Sequence, residues 1–464
     1  MNKIFKGLLL VGLTFASLPV FAVVKPANLF SEHMVLQRNK PIPVWGSGKP
    51  GEKVTVLFNS KKVSAKTDKS GKWLVKFKAL PAGGPFNMEV RGKKNSVFIK
   101  DIYIGEVWVC SGQSNMDMTV AKENRYWCGV DNEAEEVAGA NYPEIRVFDV
   151  DLTPSNEIQK DVVGKWEVCS PKTVGHFSAA AYFFAKSLYE KYDIPFGLIT
   201  SAYGASTAES WISEKSMQKH PNLKYFDQHN PCVCYNGMIA PLFPYAIRGV
   251  LWYQGESNGP SAKDYREIME TLIADWRESF GQGNFPFIYV QLANYGKAMV
   301  KPVENGSMMT VREAQMQNLS VPNTAMVVAI ENASDPMNVH PKNKQEIGYR
   351  LAVAAQVKAY GEDIECSGPM YDRYQVKGDS IQLFFKPNKE DFVAWCDKLT
   401  GFAIAGEDQV FYWAQAKFED KTVVVWNPAV PKPVAVRYCW GTNPPASLAN
   451  KDGLWAPNFR TDNW

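Results

Sequence analysis

The sequence predicts an α/β protein: a three-layer parallel-sheet core flanked by β-sandwich regions at its N- and C-terminal ends. Three observations carry this. Between residues 101 and 362, short apolar runs alternate with longer stretches of helical spacing. Residues 23–100 and 363–464 instead hold short β-branched and aromatic runs separated by turn residues. The length, 464 residues, exceeds what one ordinary hydrophobic core organises, so more than one domain is expected.

Residues 1–22 read as a secretory signal. Lys3 and Lys6 give a charged start, an apolar stretch runs from Gly7 to about Phe15, and Val20-Phe21-Ala22 offers small residues for a cut after Ala22. Export to the periplasm or the medium is expected. The apolar stretch is too short to span a bilayer, and no later stretch is apolar enough to cross one. No cysteine follows the cut, so lipid anchoring is not suggested. The formal net charge is +3, of which Lys3 and Lys6 supply two, so the mature chain is near neutral. No basic stripe stands out, and nucleic acid is not expected as a partner. Oligomeric state is not legible.

Eight cysteines, an even number, permit disulfides without fixing their pairing. Cys232-Val233-Cys234 raises a metal site, but no second ligand pair at matching spacing accompanies it. No metal or cofactor is expected.

In the N-terminal region, Val54–Phe58 and Trp73–Phe77 read as strands, punctuated by Lys49-Pro-Gly51, Lys69-Ser-Gly71 and Ala82-Gly-Gly-Pro85. In the core, Ile104–Val109, Ile145–Val150, Phe196–Thr200, Val250–Tyr253, Phe287–Leu292 and Ala325–Ile330 read as buried strands. Ser178–Tyr192, Ala262–Phe280 and Pro341–Tyr360 read as helices. Ile381–Phe385, Val410–Trp413, Thr422–Trp426 and Val434–Tyr438 are the C-terminal strands. Open parallel sheets bind ligands beyond the carboxyl ends of their strands, so functional residues should follow the core strands directly.

Ser111-Gly-Gln-Ser-Asn-Met116 follows the first core strand. Gly112 allows a tight turn that would expose Ser114 as a nucleophile, its own N–H available to an oxyanion. The same residues also suit a polar turn that caps a helix. Ser111 falls at the strand end. A nucleophilic serine needs a base. Of the five histidines, His33 lies in the first β region, His220 and His229 flank a polar stretch, and His176 precedes a helix. His340 follows the strand Ala325–Ile330 and enters a helix through Pro341, at the edge where Ser114 lies. A solvated loop histidine is the alternative there. Two further turns share this edge. Gly204, in Ser201–Ser206, would bring a backbone N–H to an oxyanion. Gln254 or Asn258, in Gln254–Asn258, would offer a side-chain amide.

These blocks resemble the sialate O-acetylesterase family, within the wider SGNH-type serine hydrolases. Ser111–Met116 is similar to its nucleophile block, Tyr203–Ser206 with Glu209-Ser-Trp211 to its glycine block, Trp252–Asn258 to its third block, and His340–Gln345 to the block holding the base. Leu36-Gln-Arg38 and Phe459-Arg-Thr-Asp462 extend the likeness over nearly the whole mature chain. The resemblance implies an SGNH-like core, Ser114 and His340 as catalytic residues, and Ser114, Gly204 and Gln254 as the oxyanion hole. It departs at one point. Relatives place an aspartate two or three positions before the histidine, where this chain has Asn338 and Met337. Asp335, five residues upstream, is the expected orienting acid. Glu256, with Asn258 in support, and Glu331 are alternatives, as are a backbone carbonyl and a bare Ser–His dyad.

The expected reaction is deacetylation of an O-acetylated sugar through an acetyl-enzyme. Sialic acid is the substrate the resemblance implies, and Arg125 is offered for its carboxylate. Trp127, Tyr203 and Trp211 are candidates for stacking on a sugar or for packing. Another acetylated glycan such as xylan is an alternative substrate. A glycan-binding protein with an inactive core is an alternative of another class, which the displaced aspartate favours.

Overall fold

The computed structural model describes residues 23–223, 231–331 and 335–464. The expected signal segment, residues 1–22, and His229 lie outside the described residues.

Among these residues the core sheet runs, in spatial order, Gly164–Val168, Ile145–Val150, Phe196–Ala202, Ser96–Gly112, Gly249–Tyr253, Phe287–Val290, Thr324–Val327. Neighbours are parallel, except that Gly164–Val168 runs antiparallel to Ile145–Val150. That edge strand was not expected from sequence; it is only partly buried, and its charged residues give no continuous apolar run. The earliest core strand, Ser96–Gly112, lies in the middle. The chain winds to one side of it and then crosses to the other, so the order reverses there. Such a reversal opens a crevice at the strand ends.

Period-two alternation builds three layers. Val107 and Val109 face one core with Trp252 and the helices Tyr265–Phe280 and Ser307–Gln317. Trp108 and Cys110 face the other, with the helices Ala179–Tyr192 and Lys344–Lys358. All five residues of Gly249–Tyr253 are buried, as a strand covered on both faces requires.

The N-terminal region packs two sheets, antiparallel except where Val35–Gln37 runs parallel to Ser96–Gly112. One contains Lys25–Pro26, Ile42–Ser47 and Lys72–Phe77. The other pairs Lys61–Lys66 with Lys53–Phe58, Lys53–Phe58 with Gly83–Arg91, and Gly83–Arg91 with the first half of Ser96–Gly112. Val54, Val56 and Phe58 turn into the core between the sheets, while Lys53 faces water. Ser96–Gly112 thus belongs to both regions and passes without interruption through the expected boundary at residues 100 and 101.

At the C-terminal end, Tyr371–Lys377, Ser380–Phe385, Thr422–Trp426 and Gln415–Glu419 form one antiparallel sheet. Phe411–Trp413, Phe402–Ala405, Ala435–Tyr438 and Phe459–Arg460 form another. Tyr371 stacks on Phe459 at 4.7 Å, joining the two. The buried Arg312 donates to the carbonyls of Leu292 (2.9 Å) and Gly441 (2.7 Å), tying this region to the core. All eight cysteines are free thiols. Among the described residues no helix is long and apolar enough to cross a membrane.

Candidate active site

Three strand ends lie level. Gly112 is in register with Ala202 on one side and with Tyr253 on the other. Ser114, Gly204 and Gln254 follow these positions by two, two and one residues, so chain order alone sets them side by side. Gly112 is what lets the central strand turn. Its φ is +140°, and a Cβ there would fall 2.2 Å from the Tyr253 carbonyl oxygen. Ser114 then opens the short helix Ser114–Asp117. Its N–H belongs to a first turn and has no intrahelical acceptor. Gly204 sits close against Ser114, with room for a Cβ only 3.8 Å from the serine Cβ.

The structure brings Ser114 and His340 together, with Oγ 2.8 Å from Nε2 across 226 residues of sequence. His340 is nearly buried. Trp127 stacks on its ring at 4.8 Å. Burial, and then the charge of Lys344, bring the imidazole down to about 4, so it is neutral and able to accept a proton near neutral pH. Ser111 is different: it lies inside the strand, with its hydroxyl buried and without a partner among the described residues.

Asp335 is not brought to the imidazole. It is exposed, and its carboxylate accepts the Met337 N–H at 3.0 Å. Asn338 repeats the pattern, accepting the His340 N–H at 3.0 Å. Two such turns shape the loop that delivers His340, because short polar side chains readily cap the backbone two residues on. Glu331 pairs with Arg350 at 2.7 Å instead. Among the described residues no carboxylate hydrogen-bonds His340.

The chain on both sides of His340 is gripped by a buried polar network. Asn115 Nδ2 donates to Glu256 Oε1 (2.6 Å) and to the Val339 carbonyl (3.0 Å). Lys344 Nζ donates to Asn115 Oδ1 (2.9 Å) and to the Pro341 carbonyl (2.5 Å). The ammonium also lies 5.3 Å from the centre of the Tyr253 ring. Burial brings Lys344 down to about 7 and pushes Glu256 up. Sequence reasoning missed Asn115 and Lys344, although both stand inside the quoted blocks.

Gln254 departs from its expected role. Its amide nitrogen donates to Ser206 O (3.2 Å) and Asn258 Oδ1 (2.6 Å), which accounts for both protons, while its oxygen accepts from Tyr265. The side chain braces the Ser206 turn and leaves no donor for an oxyanion. Asn258 is fully committed as well, accepting the Ala208 N–H and donating to Glu209 and Ser261.

The remaining candidates are accounted for by local contacts. Trp211 is buried, edge-on to Trp252 at 6.2 Å, and donates to Ser206. Tyr203 is half-buried, and its N–H ties the glycine turn to Gly112 O at 3.0 Å. Arg125 stacks over Trp127 at 4.8 Å and is shared between Asp117 (2.7 Å) and Glu123 (3.4 Å). His33, His176 and His220 pair with Asp101, Glu167 and Glu267, away from Ser114.

Comparison with known proteins agrees with the fold. Residues 104–357 match the model of a family described as carbohydrate esterase, sialic acid-specific acetylesterase. Sialate O-acetylesterase of Mus musculus is 30% identical over 90% of this chain and 90% of its own length. That of Homo sapiens is 30% identical over 90% of this chain and 88% of its own. The crystal structure of a carbohydrate acetylesterase from Xanthomonas citri superposes with a TM-score of 0.87 at 35% identity, covering 95% of this chain and all of that one. The protein is therefore an esterase. It belongs to the carbohydrate esterase family of sialic acid-specific acetylesterases.

Proposed function

We propose that the protein is an exported sialate O-acetylesterase with an SGNH-like core in residues 101–362, working through Ser114 and His340 without a metal or cofactor. The observation that carries this reading is the 2.8 Å contact between Ser114 Oγ and His340 Nε2 at the reversal of the sheet. His340 takes the hydroxyl proton as Ser114 attacks the acetyl carbonyl. The oxyanion is held by the backbone N–H groups of Ser114 and Gly204, neither of which has an acceptor among the described residues. Protonated His340 returns its proton to the departing sugar oxygen. Water, deprotonated by the same imidazole, then releases acetate from the acetyl-enzyme. The pinned loop, rather than a carboxylate on Nδ1, holds the imidazole in place.

A second reading, an acetylesterase of another O-acetylated glycan, is supported by the Xanthomonas citri relative, whose description names carbohydrate without sialate. The test is acetate release from O-acetylated sialic acids, acetylated xylo-oligosaccharides and a short chromogenic ester. The wild type, Ser114→Ala, His340→Ala and Ser111→Ala are compared. Sialate turnover that vanishes in the Ser114 and His340 variants but persists in the Ser111 variant is expected. Retention of full activity by Ser114→Ala or His340→Ala overturns the mechanism, and faster xylo-oligosaccharide turnover selects the second reading.

A further inference from the structure

The near-neutral total charge conceals a strong segregation. Residues 23–100 hold 16 Lys and Arg against 4 Asp and Glu, a formal +12, while residues 101–464 hold 33 against 44, a formal −11. The basic side chains of the first region are concentrated on its outer faces, because the inward positions of each strand are apolar. Segregation on this scale makes a positive field at one end of the molecule and a negative one over the rest.

The positive end has a built concavity. A cleft of about 620 Å³ lies between the Lys49–Glu52 turn, the Lys53–Phe58 and Lys61–Lys66 strands and the Arg91–Lys94 turn. Lys49, Lys53, Lys62, Arg91, Lys93 and Lys94 line it, with Glu52 as the acid among them. Glu52 offsets one of these positive charges and leaves the lining basic; its carboxylate accepts the backbone N–H of Lys93 (2.7 Å) and of Lys49 (3.3 Å), tying the two turns. Arg91 is held by Glu89 through two 2.6 Å bonds. Thr55, which lines the cleft, bonds to Ser64 at 2.9 Å. On the same face, Lys53 stands directly opposite Lys66 in the antiparallel register. Directly opposed like charges destabilise a strand pair, and an anion between them relieves this.

We propose that this cleft is an anchoring site for an anionic polysaccharide. The choice of polysaccharide rests on the reading of the core as an esterase of acetylated glycans; the choice of anionic rests on the lysines alone. A concave groove lined by lysines and the Thr55 hydroxyl suits a single carboxylated or sulfated chain, whereas a bilayer presents a flat surface. The anchor is separate from the chemistry. Arg91 pairs with Ser96 at the start of the strand whose far end, Gly112, precedes Ser114. At roughly 3.3 Å per residue the strand allows a separation of up to about 50 Å between the cleft and the serine. The acidic remainder repels the same polymer, so the chain is held by one end of the protein and not smothered over the other.

The test uses the full mature protein and measures binding to polygalacturonate, heparin, neutral dextran, duplex DNA and anionic phospholipid vesicles. The triple variants Lys53→Glu/Lys62→Glu/Lys93→Glu and Lys53→Gln/Lys62→Gln/Lys93→Gln are compared with wild type. Expected is binding to polygalacturonate or heparin but not dextran, weakened by salt and at least about tenfold weaker in both variants. The preferred polyanion tells carboxylate from sulfate recognition. Hydrolysis of a small chromogenic ester stays at the wild-type value, and the unfolding midpoint does not fall, since losing the Lys53–Lys66 opposition relieves a repulsion. Equal binding by the variants, absence of polyanion binding, or tighter binding to DNA or vesicles overturns the proposal. None of these outcomes reads acetate release from a sugar, so the anchor and the esterase reading fail independently.

Discussion

The ammonium of Lys344 lies 2.9 Å from Asn115 Oδ1, and the two side chains hold the carbonyls of Pro341 and Val339 on either side of His340. These contacts hold the His340 loop in register without a carboxylate on the ring among the described residues. The imidazole also lies beside a positive charge, which disfavours the imidazolium.

The pH dependence follows from that charge. His340 must be neutral to accept the serine proton, and burial first and Lys344 second bring it down to about 4. Lys344, at about 7, is charged throughout this range. The acid limb of kcat/KM is therefore expected near pH 4, well below an ordinary histidine. In Lys344→Met the repulsion is gone while burial remains, so the limb moves up towards 6.5 without reaching it. The lost grip on Pro341 lowers kcat by up to about 100-fold. A pH–rate profile of the variant checks this, and an unmoved limb contradicts it.

Glu256 supplies the far end of the network. Glu256→Ala leaves the Asn115 amide short of an acceptor in a buried site and is expected to cost about 1–3 kcal/mol of stability. Glu256→Gln keeps an acceptor and should cost less; it also removes the second carboxylate oxygen, which has no partner among the described residues. Urea unfolding of the two variants gives the comparison, and equal losses would place the effect elsewhere.

Much of this was legible from residues alone. Ile145–Val150 matches its strand at both ends, although Arg146 and the exposed Asp149 interrupt its apolar run. Val250–Tyr253 differs by one residue, because a strand covered on both faces must be apolar throughout. That Ser114 and His340 meet was readable, because each follows the carboxyl end of a strand. The contacts of Asp335 and Gln254 were not. Spacing along the chain says nothing of whether a side chain turns back to cap its own loop, as Asp335 does, or is consumed by neighbours, as Gln254 is. The basic face was missed because net charge was read for the whole chain, where +12 and −11 nearly cancel. Lys344 was missed because a lysine in a helix's first turn ordinarily faces water, and only the fold buries it.

Asp335 gives a sharp contrast with an orienting aspartate, whose loss costs roughly 10,000-fold in kcat. Here Asp335→Ala removes one turn-forming bond on an exposed loop. A loss of no more than about tenfold is expected. Steady-state kinetics on a chromogenic acetyl ester decide it, and a collapse of kcat would restore Asp335 to the triad.

Gly112 is the backbone condition of the whole edge. Gly112→Ala forces a Cβ to 2.2 Å from the Tyr253 carbonyl at a φ of +140°. The strand ends must separate, so a stability loss of more than about 2 kcal/mol with an even larger loss of activity is expected. Thermal unfolding and ester hydrolysis measured on one preparation test this. Wild-type behaviour in both would mean that the turn is not as tight as the register requires.

The central claim is that Ser114 carries the acetyl group between the two half-reactions. Rapid acid quench during turnover, followed by peptide mass spectrometry, tests it directly. An acetyl group on Ser114, absent in Ser114→Ala and failing to accumulate in His340→Ala, is the expected result. Acetyl on Ser111 or another residue, or undiminished turnover in Ser114→Ala, would contradict it.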